Sequence, residues 1–217
     1  MSTKYDQLGK NYRAKSQDTI QNNSDNFFPT YHALTRHLLN NLKFNKLDTF
    51  LEPCAGAGDI IKVLKEYGYD NVDGFDIKPR AENITEADAL SGRFPPYDNI
   101  ITNPPFKLSI KFFKMACYTA EKNICFIWPL DYLHGVERYD VMYEKGCNNF
   151  RLKTCYAFVR RPLFNAKFHP VGPMPTGATS FAWFHFEKNY QGDPVIKWLH
   201  NNSDMGQPWE AEQLLMI

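Results

Sequence analysis

Along the first two-thirds of the chain, short runs of β-branched and aromatic residues alternate with stretches in which apolar residues recur every three or four positions. The runs at 47–52, 71–77, 84–90, 98–102 and 123–130 read as strands. Leu34, Leu38 and Leu39 share one face of a helix before the first run, and Thr30 stands where a cap belongs. Further helices are expected at 60–67, closed by Gly68, at 108–120, and at 136–145, closed by Gly146. In 108–120, Ile110, Phe113, Cys117 and Ala120 form the apolar stripe, with Lys107, Lys111 and Lys114 on the outside. Two alternating strands follow, 151–158 and 180–187, separated by a loop at 165–178 that holds three prolines and two glycines. Strand–helix repetition ending in a hairpin predicts an α/β fold: a mainly parallel sheet, helices on both faces and an antiparallel C-terminal hairpin.

The 217 residues suit one domain, expected over 27–200, with a polar N-terminal arm at 1–26 and a polar tail at 201–217 that carries no assigned chemistry. No apolar run approaches the ~20 residues of a membrane span, and the N-terminus lacks the apolar segment of a secretory signal. A cytoplasmic protein with no membrane partner is expected, and a monomer. The five cysteines form no C-x-x-C pair, which favours free thiols over disulfides or zinc; no metal site is expected. Net charge is +1, but the cations are unevenly placed: residues 107–170 carry 11 Lys and Arg against five Asp and Glu. That excess suits a surface that tracks phosphates, and equally a solvated outer face.

Two stretches carry chemistry. Glu52-Pro53-Cys54-Ala55-Gly56-Ala57-Gly58 follows the first strand and opens a helix, a place where glycines permit a sharp turn and close approach of a ligand to backbone. Asp76 ends the second strand 18 residues after Gly58, where a carboxylate can take ribose hydroxyls. A dinucleotide oxidoreductase would place a third glycine three positions after Gly58, and Ile61 stands there instead. The second stretch is Asp98 to Phe106. Its strand stops at Pro104 and Pro105, which have no N–H, and the corner presents the Asn103 amide, two carbonyls and the Phe106 ring. Such a corner can accept both hydrogens of a planar amino group while the aromatic ring stacks on its base.

Asn103-Pro104-Pro105-Phe106 resembles the catalytic tetrapeptide of methyltransferases acting on adenine N6, and Glu-Pro-Cys-Ala-Gly-Ala-Gly is similar to their first cofactor motif. Phe28-Pro29-Thr30 before the first helix resembles their leading cofactor segment, so the motif order is that of the gamma-type DNA enzymes in a compact, phage-like form. The resemblance implies a Rossmann-like class I methyltransferase fold with seven strands, S-adenosyl-L-methionine as cofactor and DNA as partner. It implies catalytic roles for Asn103, Pro104, Pro105 and Phe106. It implies cofactor contacts from Phe28, Thr30, Glu52, Pro53, Cys54, Ala55, Gly56, Gly58, Asp76, Ile77, Asp88, Ala89 and Asn103. Phe106, Lys107, Arg160, Arg161 and Phe164 are the candidates for holding substrate, and Phe164 or Phe168 for stacking on an extruded base. The gamma-type enzymes usually append a target-recognition domain, and little chain follows the last expected strand here. Three alternatives stay open: an RNA adenine or guanine amino methyltransferase, a release-factor glutamine methyltransferase (which usually ends the tetrapeptide in Tyr), and a catalytically silent binder on the same fold.

Overall fold

The computed structural model describes residues 27–162, 164 and 177–200. The expected arm and tail, Phe168 and most of the proline-rich loop lie outside the described residues. Helix α1 (His32–Asn41) leads into β1 (Phe50–Glu52), α2 (Asp59–Glu66), β2 (Val72–Asp76), β3 (Thr85–Glu86) and β4 (Tyr97–Thr102). Then come α3 (Ser109–Thr119), β5 (Ala120–Pro129) and α4 (Val136–Tyr139), which runs on into a π-helical turn, Asp140–Glu144. Strands β6 (Phe150–Phe158), β7 (Phe181–Lys188) and β8 (Val195–Leu199) complete the order.

All eight strands form one sheet in the order β3-β2-β1-β4-β5-β7-β6-β8. The first five are mutually parallel, and β7 runs antiparallel to both of its neighbours, β5 and β6. The sheet therefore has one strand more than the seven expected. The addition is β8, whose Val195 to Leu199 pair in parallel with Thr154 to Phe158. Its five residues have no legible partner in the sequence, because the edge that receives them is some 40 residues earlier. On one face Ile100, Ile124, Trp128 and Phe184 pack with Phe113 of α3 and Met142 of the π-helical turn. On the other Ile101, Ile127 and Trp183 pack with Leu38 of α1 and Ile60 of α2. The indole N–H of Trp183 donates to the Leu34 carbonyl at 2.9 Å, tying α1 to the middle of the sheet.

Three local expectations change. Thr30 does not cap α1: the cap position is Tyr31, and no side chain bonds the first turn. The expected strand 84–90 is two residues long, because Asp88 turns the chain on itself; its Oδ1 accepts the Leu90 amide at 2.9 Å and its carbonyl the Ser91 amide. The buried stripe of α3 runs through Phe112, Phe113, Ala116 and Cys117, and Ile110 is only half-buried. Towards the end of the sheet away from Glu52 and Thr102, a polar ladder crosses four strands. Asp48 accepts from Asn99 at 3.0 Å, Asn99 from Asn123 at 2.8 Å, and Asn123 lies 2.9 Å from His185 Nε2.

Candidate active site

Strands β1 and β4 are parallel neighbours, with Leu51 opposite Ile100, so their carboxyl ends open on the same side. A cavity of about 480 Å³ lies there, within the range of small-molecule sites. Phe28 and Thr30 line it from the segment before α1, and Glu52, Pro53, Cys54, Ala55 and Gly56 from the end of β1 and its loop. Asp76 and Ile77 reach it from β2, Asp88 and Ala89 from the turn after β3, and Asn103, Pro104, Pro105, Phe106 and Lys107 from the corner after β4. Two stretches that the sequence marked independently thus border one space.

The glycine loop is shaped from three sides. Gly56 sits at φ +52°, and a Cβ there would come within 2.6 Å of the Phe27 ring. Its amide donates to Asp76 Oδ2 at 2.8 Å, while the Lys78 amide donates to Asp76 Oδ1 at 2.8 Å. Each carboxylate oxygen keeps a lone pair for a hydroxyl of a ligand. Arg80 donates its amide to the Gly56 carbonyl at 2.9 Å and lays its guanidinium 4.1 Å from the Phe27 ring centroid. Ile77 is 71% exposed at the rim, an apolar surface on which a planar ring can pack. The position where a third glycine would allow close helix packing is solved differently. Ile61 on α2 lies over Gly74 of β2, where a Cβ would collide with its Cδ1, so the bulk is on the helix and the space on the strand.

The buried charged side chains of the lining, Glu52 and Asp59, are acidic, while Lys78, Arg80 and Lys107 stand nearer its rim. Glu52 is 2% exposed, and its Oε2 has no hydrogen-bond partner among the described residues. Burial, followed by the Asp59 and Asp76 carboxylates, pushes its carboxyl well above the usual range, although the Ile61 amide opposes the shift. Asp59, also buried, pairs with His32 at 3.3 Å and lies 3.9 Å from Lys62. Burial and the carboxylates of Asp76 and Glu52 push the Cys54 thiol well up, which removes it as a nucleophile.

At the β4 corner, Asn103 Nδ2 donates to Thr30 Oγ1 at 3.1 Å and faces the Phe28 carbonyl at 3.5 Å. A carbonyl accepts only, so the nitrogen must occupy that side, and Oδ1 is left as the acceptor for whatever enters the site. Thr30 therefore orients the amide instead of capping a helix. The Phe106 ring borders the cavity and rests 5.6 Å from Phe181, which in turn meets Phe164 edge-on at 4.7 Å.

Four candidates stand outside the cavity lining. Gly58 occupies the left-handed position just before α2. Phe164 is buried behind Phe181. Arg160 and Arg161 are exposed beyond β6, where Arg161 donates to the Ala178 carbonyl at 3.1 Å. Arg138, also outside the lining, bonds backbone: its Nε donates to the carbonyls of Tyr132 and His134. Phe27, Asp59, Arg80, Leu90 and Phe112 line the cavity without having been singled out. Asp59, directly after the glycine loop, had a sequence signal; Arg80 and Phe112 had none.

No family model matches the chain, and no curated protein matches it in sequence. Solved structures do. One is a Listeria monocytogenes protein assigned as a class I S-adenosylmethionine-dependent methyltransferase, at 13% identity and TM-score 0.57 over 96% of this chain and 75% of that one. Another is the M protein of the type I restriction enzyme EcoKI, at 14% identity and TM-score 0.54 over 74% and 44%. A third is a Pyrococcus horikoshii protein assigned as an RNA methyltransferase, at 14% identity and TM-score 0.53 over 73% and 82%. The match to a Vibrio vulnificus protein assigned as a type I modification subunit spans 58% of that chain, so both modification subunits extend well beyond what this chain covers. The fold is the Rossmann-like class I methyltransferase fold, carrying β8 as an edge strand.

Proposed function

We propose that the chain is an S-adenosyl-L-methionine-dependent methyltransferase that transfers a methyl group to the exocyclic N6 amine of adenine in DNA. The observation that carries the reading is the Asn103 amide, whose nitrogen is committed to Thr30 and Phe28 while its oxygen remains to accept.

The cavity residues fit the cofactor. Its cationic amino group matches the unpartnered, buried Glu52 oxygen, its ribose matches the Asp76 carboxylate, and its adenine matches Ile77 together with Asp88 and Ala89. When bound, S-adenosylmethionine supplies an electrophilic methyl group on a sulfonium. The amine of adenine is a weak nucleophile because its lone pair is delocalised into the ring. Asn103 Oδ1 and the Pro104 carbonyl accept its two hydrogens, which lets the nitrogen pyramidalise as it attacks, and Phe106 stacks on the base. In a duplex the adenine must leave the stack to reach this corner. In this reading exposed Lys107 and its neighbours Lys111 and Lys114 meet the phosphate backbone, and Lys114 also pairs with Glu137 at 3.3 Å. The choice of DNA rests on the motif order, since the similar structures include proteins assigned to both nucleic acids.

The test is label transfer from S-adenosylmethionine to unmethylated duplex DNA, structured RNA and protein, with products identified as nucleosides or amino acids by mass spectrometry. N6-methyladenine in DNA is expected. Asn103→Ala should lower turnover by about 10²–10³-fold, the scale for removing one preorganised hydrogen-bonding group at a reacting centre, while calorimetric cofactor affinity is retained. Methylated RNA or glutamine with unmethylated DNA overturns the substrate, and undiminished turnover removes Asn103 from the mechanism.

A further inference from the structure

The Asn-Pro-Pro-Phe corner has a mechanical problem. β4 ends at Thr102, and Pro104 and Pro105 beyond it donate no backbone hydrogen bond, so the corner is held only through its carbonyls, that of Pro105 accepting the Leu108 amide at 2.9 Å. A ring that is to meet a base needs a fixed backbone beneath it. The fixing group comes from the adjacent strand. β5 continues past Pro129 into a 3-10 turn, Leu130–Leu133, and there the Tyr132 hydroxyl donates to the Phe106 carbonyl at 2.6 Å. The Ser109 hydroxyl is 3.4 Å from the same Tyr132 oxygen and donates to the Pro105 carbonyl at 3.4 Å, so both sides of the corner are held.

Tyr132 is itself immobilised. Its ring lies 5.2 Å from that of Trp128, a fully buried core side chain. The Arg138 guanidinium stands 4.8 Å from the Tyr132 ring centroid, and its Nε donates to the Tyr132 and His134 carbonyls at 3.1 and 2.6 Å. Neither residue borders the cavity. A tyrosine that only filled core space would not need to aim its hydroxyl at this carbonyl.

We infer that Tyr132 is a positioning residue that acts through Phe106, fixing the ring against which the acceptor base stacks, and that Arg138 fixes Tyr132 in turn. The inference rests on the methyl-transfer reading above. It makes the turn after β5 part of the machinery, although none of Leu130–Leu133 lines the cavity.

Tyr132→Phe removes the hydroxyl and keeps the packing. Turnover on DNA should fall about tenfold, the scale of one lost hydrogen bond, with the cofactor KM unchanged and the thermal midpoint lowered by only about 2–4 °C. In a chain already carrying Phe106→Ala, the same substitution should change turnover less than about twofold, because the ring it places is gone. Hydrogen exchange of the backbone at 106–109 should quicken about tenfold in Tyr132→Phe, and Arg138→Gln should show both effects more weakly. Independent, multiplying losses in the double variant, or unchanged exchange at 106–109, overturn the inference. A wild-type chain that forms no methyladenine overturns the proposed function, and the exchange measurement then judges the Tyr132 pin on its own.

Discussion

Replacing Glu52 by Gln keeps the shape of the side chain and removes its titration. In the folded chain burial and two neighbouring carboxylates raise the Glu52 carboxyl well above its usual range, whereas in the unfolded chain it titrates near about 4.3. Above that value the unfolded chain gives up a proton that the native chain keeps, so the native state binds more protons and its stability falls as pH rises. The slope from one such proton is about 1.4 kcal/mol per pH unit, until the native carboxyl itself ionises. Denaturant unfolding of the cofactor-free protein between pH 5 and 8 measures it. Relative to wild type, Glu52→Gln should gain stability by about that amount per pH unit across the lower part of the range. The groups facing this carboxyl, namely Asp59 with His32 and Lys62 behind it, and Asp76, are present in both proteins, so the difference isolates Glu52. Cofactor affinity gives the second arm. A bound ammonium group favours the ionised carboxylate, so wild-type affinity should rise with pH, by up to about tenfold per unit, and the variant's should not. Parallel stability profiles for the two proteins would refute the argument.

Three further substitutions or titrations address other parts of the molecule. Gly56→Ala forces a side chain into a left-handed backbone, at about 1–2 kcal/mol, and drives the Phe27 ring from Arg80; calorimetry should find cofactor affinity at least about tenfold weaker, and an unchanged value denies the loop its cradling role. Gly74→Ala should cost about 1–3 kcal/mol by overpacking against Ile61 and Ile84, with part of the loss recovered by Ile61→Val in the same chain; strictly additive losses would show that the two do not share the space. Burial, with Lys153 and Lys197 nearby, pushes His185 down to about 3. The unfolded chain therefore takes up a proton below about pH 6.5 that the native chain refuses, and stability falls by up to about 1.4 kcal/mol per pH unit towards acid. Nitrogen NMR at pH 5 should show a neutral His185 ring protonated on Nε2, and a charged ring there contradicts this.

What the sequence revealed and what it hid follow from how local each feature is. Strands β1, β4 and β5 were legible because burial on both faces writes apolar residues into them, β2, only partly buried, because it follows Gly68 and ends at Asp76, and the two site motifs because they sit where strands end. The union of those motifs depends on β1 and β4 being neighbours, which chain order suggests and Leu51 opposite Ile100 realises. Thr30 looked like a helix cap because cap and hydrogen-bond acceptor use the same hydroxyl, and only the fold brings Asn103, 73 residues away, to compete for it. Ile61 was read as a missing glycine because its complement, Gly74, is on another strand. The Tyr132 hydroxyl and the Arg80 guanidinium reach their partners across strand ends and loops, and neither has a periodicity that marks it.

A hydrogen-bonded network and a bare carboxylate oxygen stand at opposite ends of this sheet, although His185 Nδ1 in the network also has no partner among the described residues. Away from the cavity, Asp48, Asn99, Asn123 and His185 hand hydrogen bonds across four strands, and Lys122 closes the ladder on Asp48 at 2.5 Å and on Asp98 at 2.9 Å. Such a network fixes register, and each link is worth about 0.5–1.5 kcal/mol. At the cavity the pattern reverses. Among the described residues Glu52 Oε2 is the one buried carboxylate oxygen with no hydrogen-bond partner, and a buried polar group left so costs about 1–3 kcal/mol, more if it is charged. The Ile61 amide of α2 bonds the Glu52 carboxyl but leaves Oε2 without a partner, and His32 of α1 reaches the neighbouring Asp59 instead. Leaving that oxygen bare at the wall of a 480 Å³ cavity makes physical sense if the missing donor arrives with a cationic ligand, which is what the pH dependence of cofactor affinity in wild type and Glu52→Gln measures.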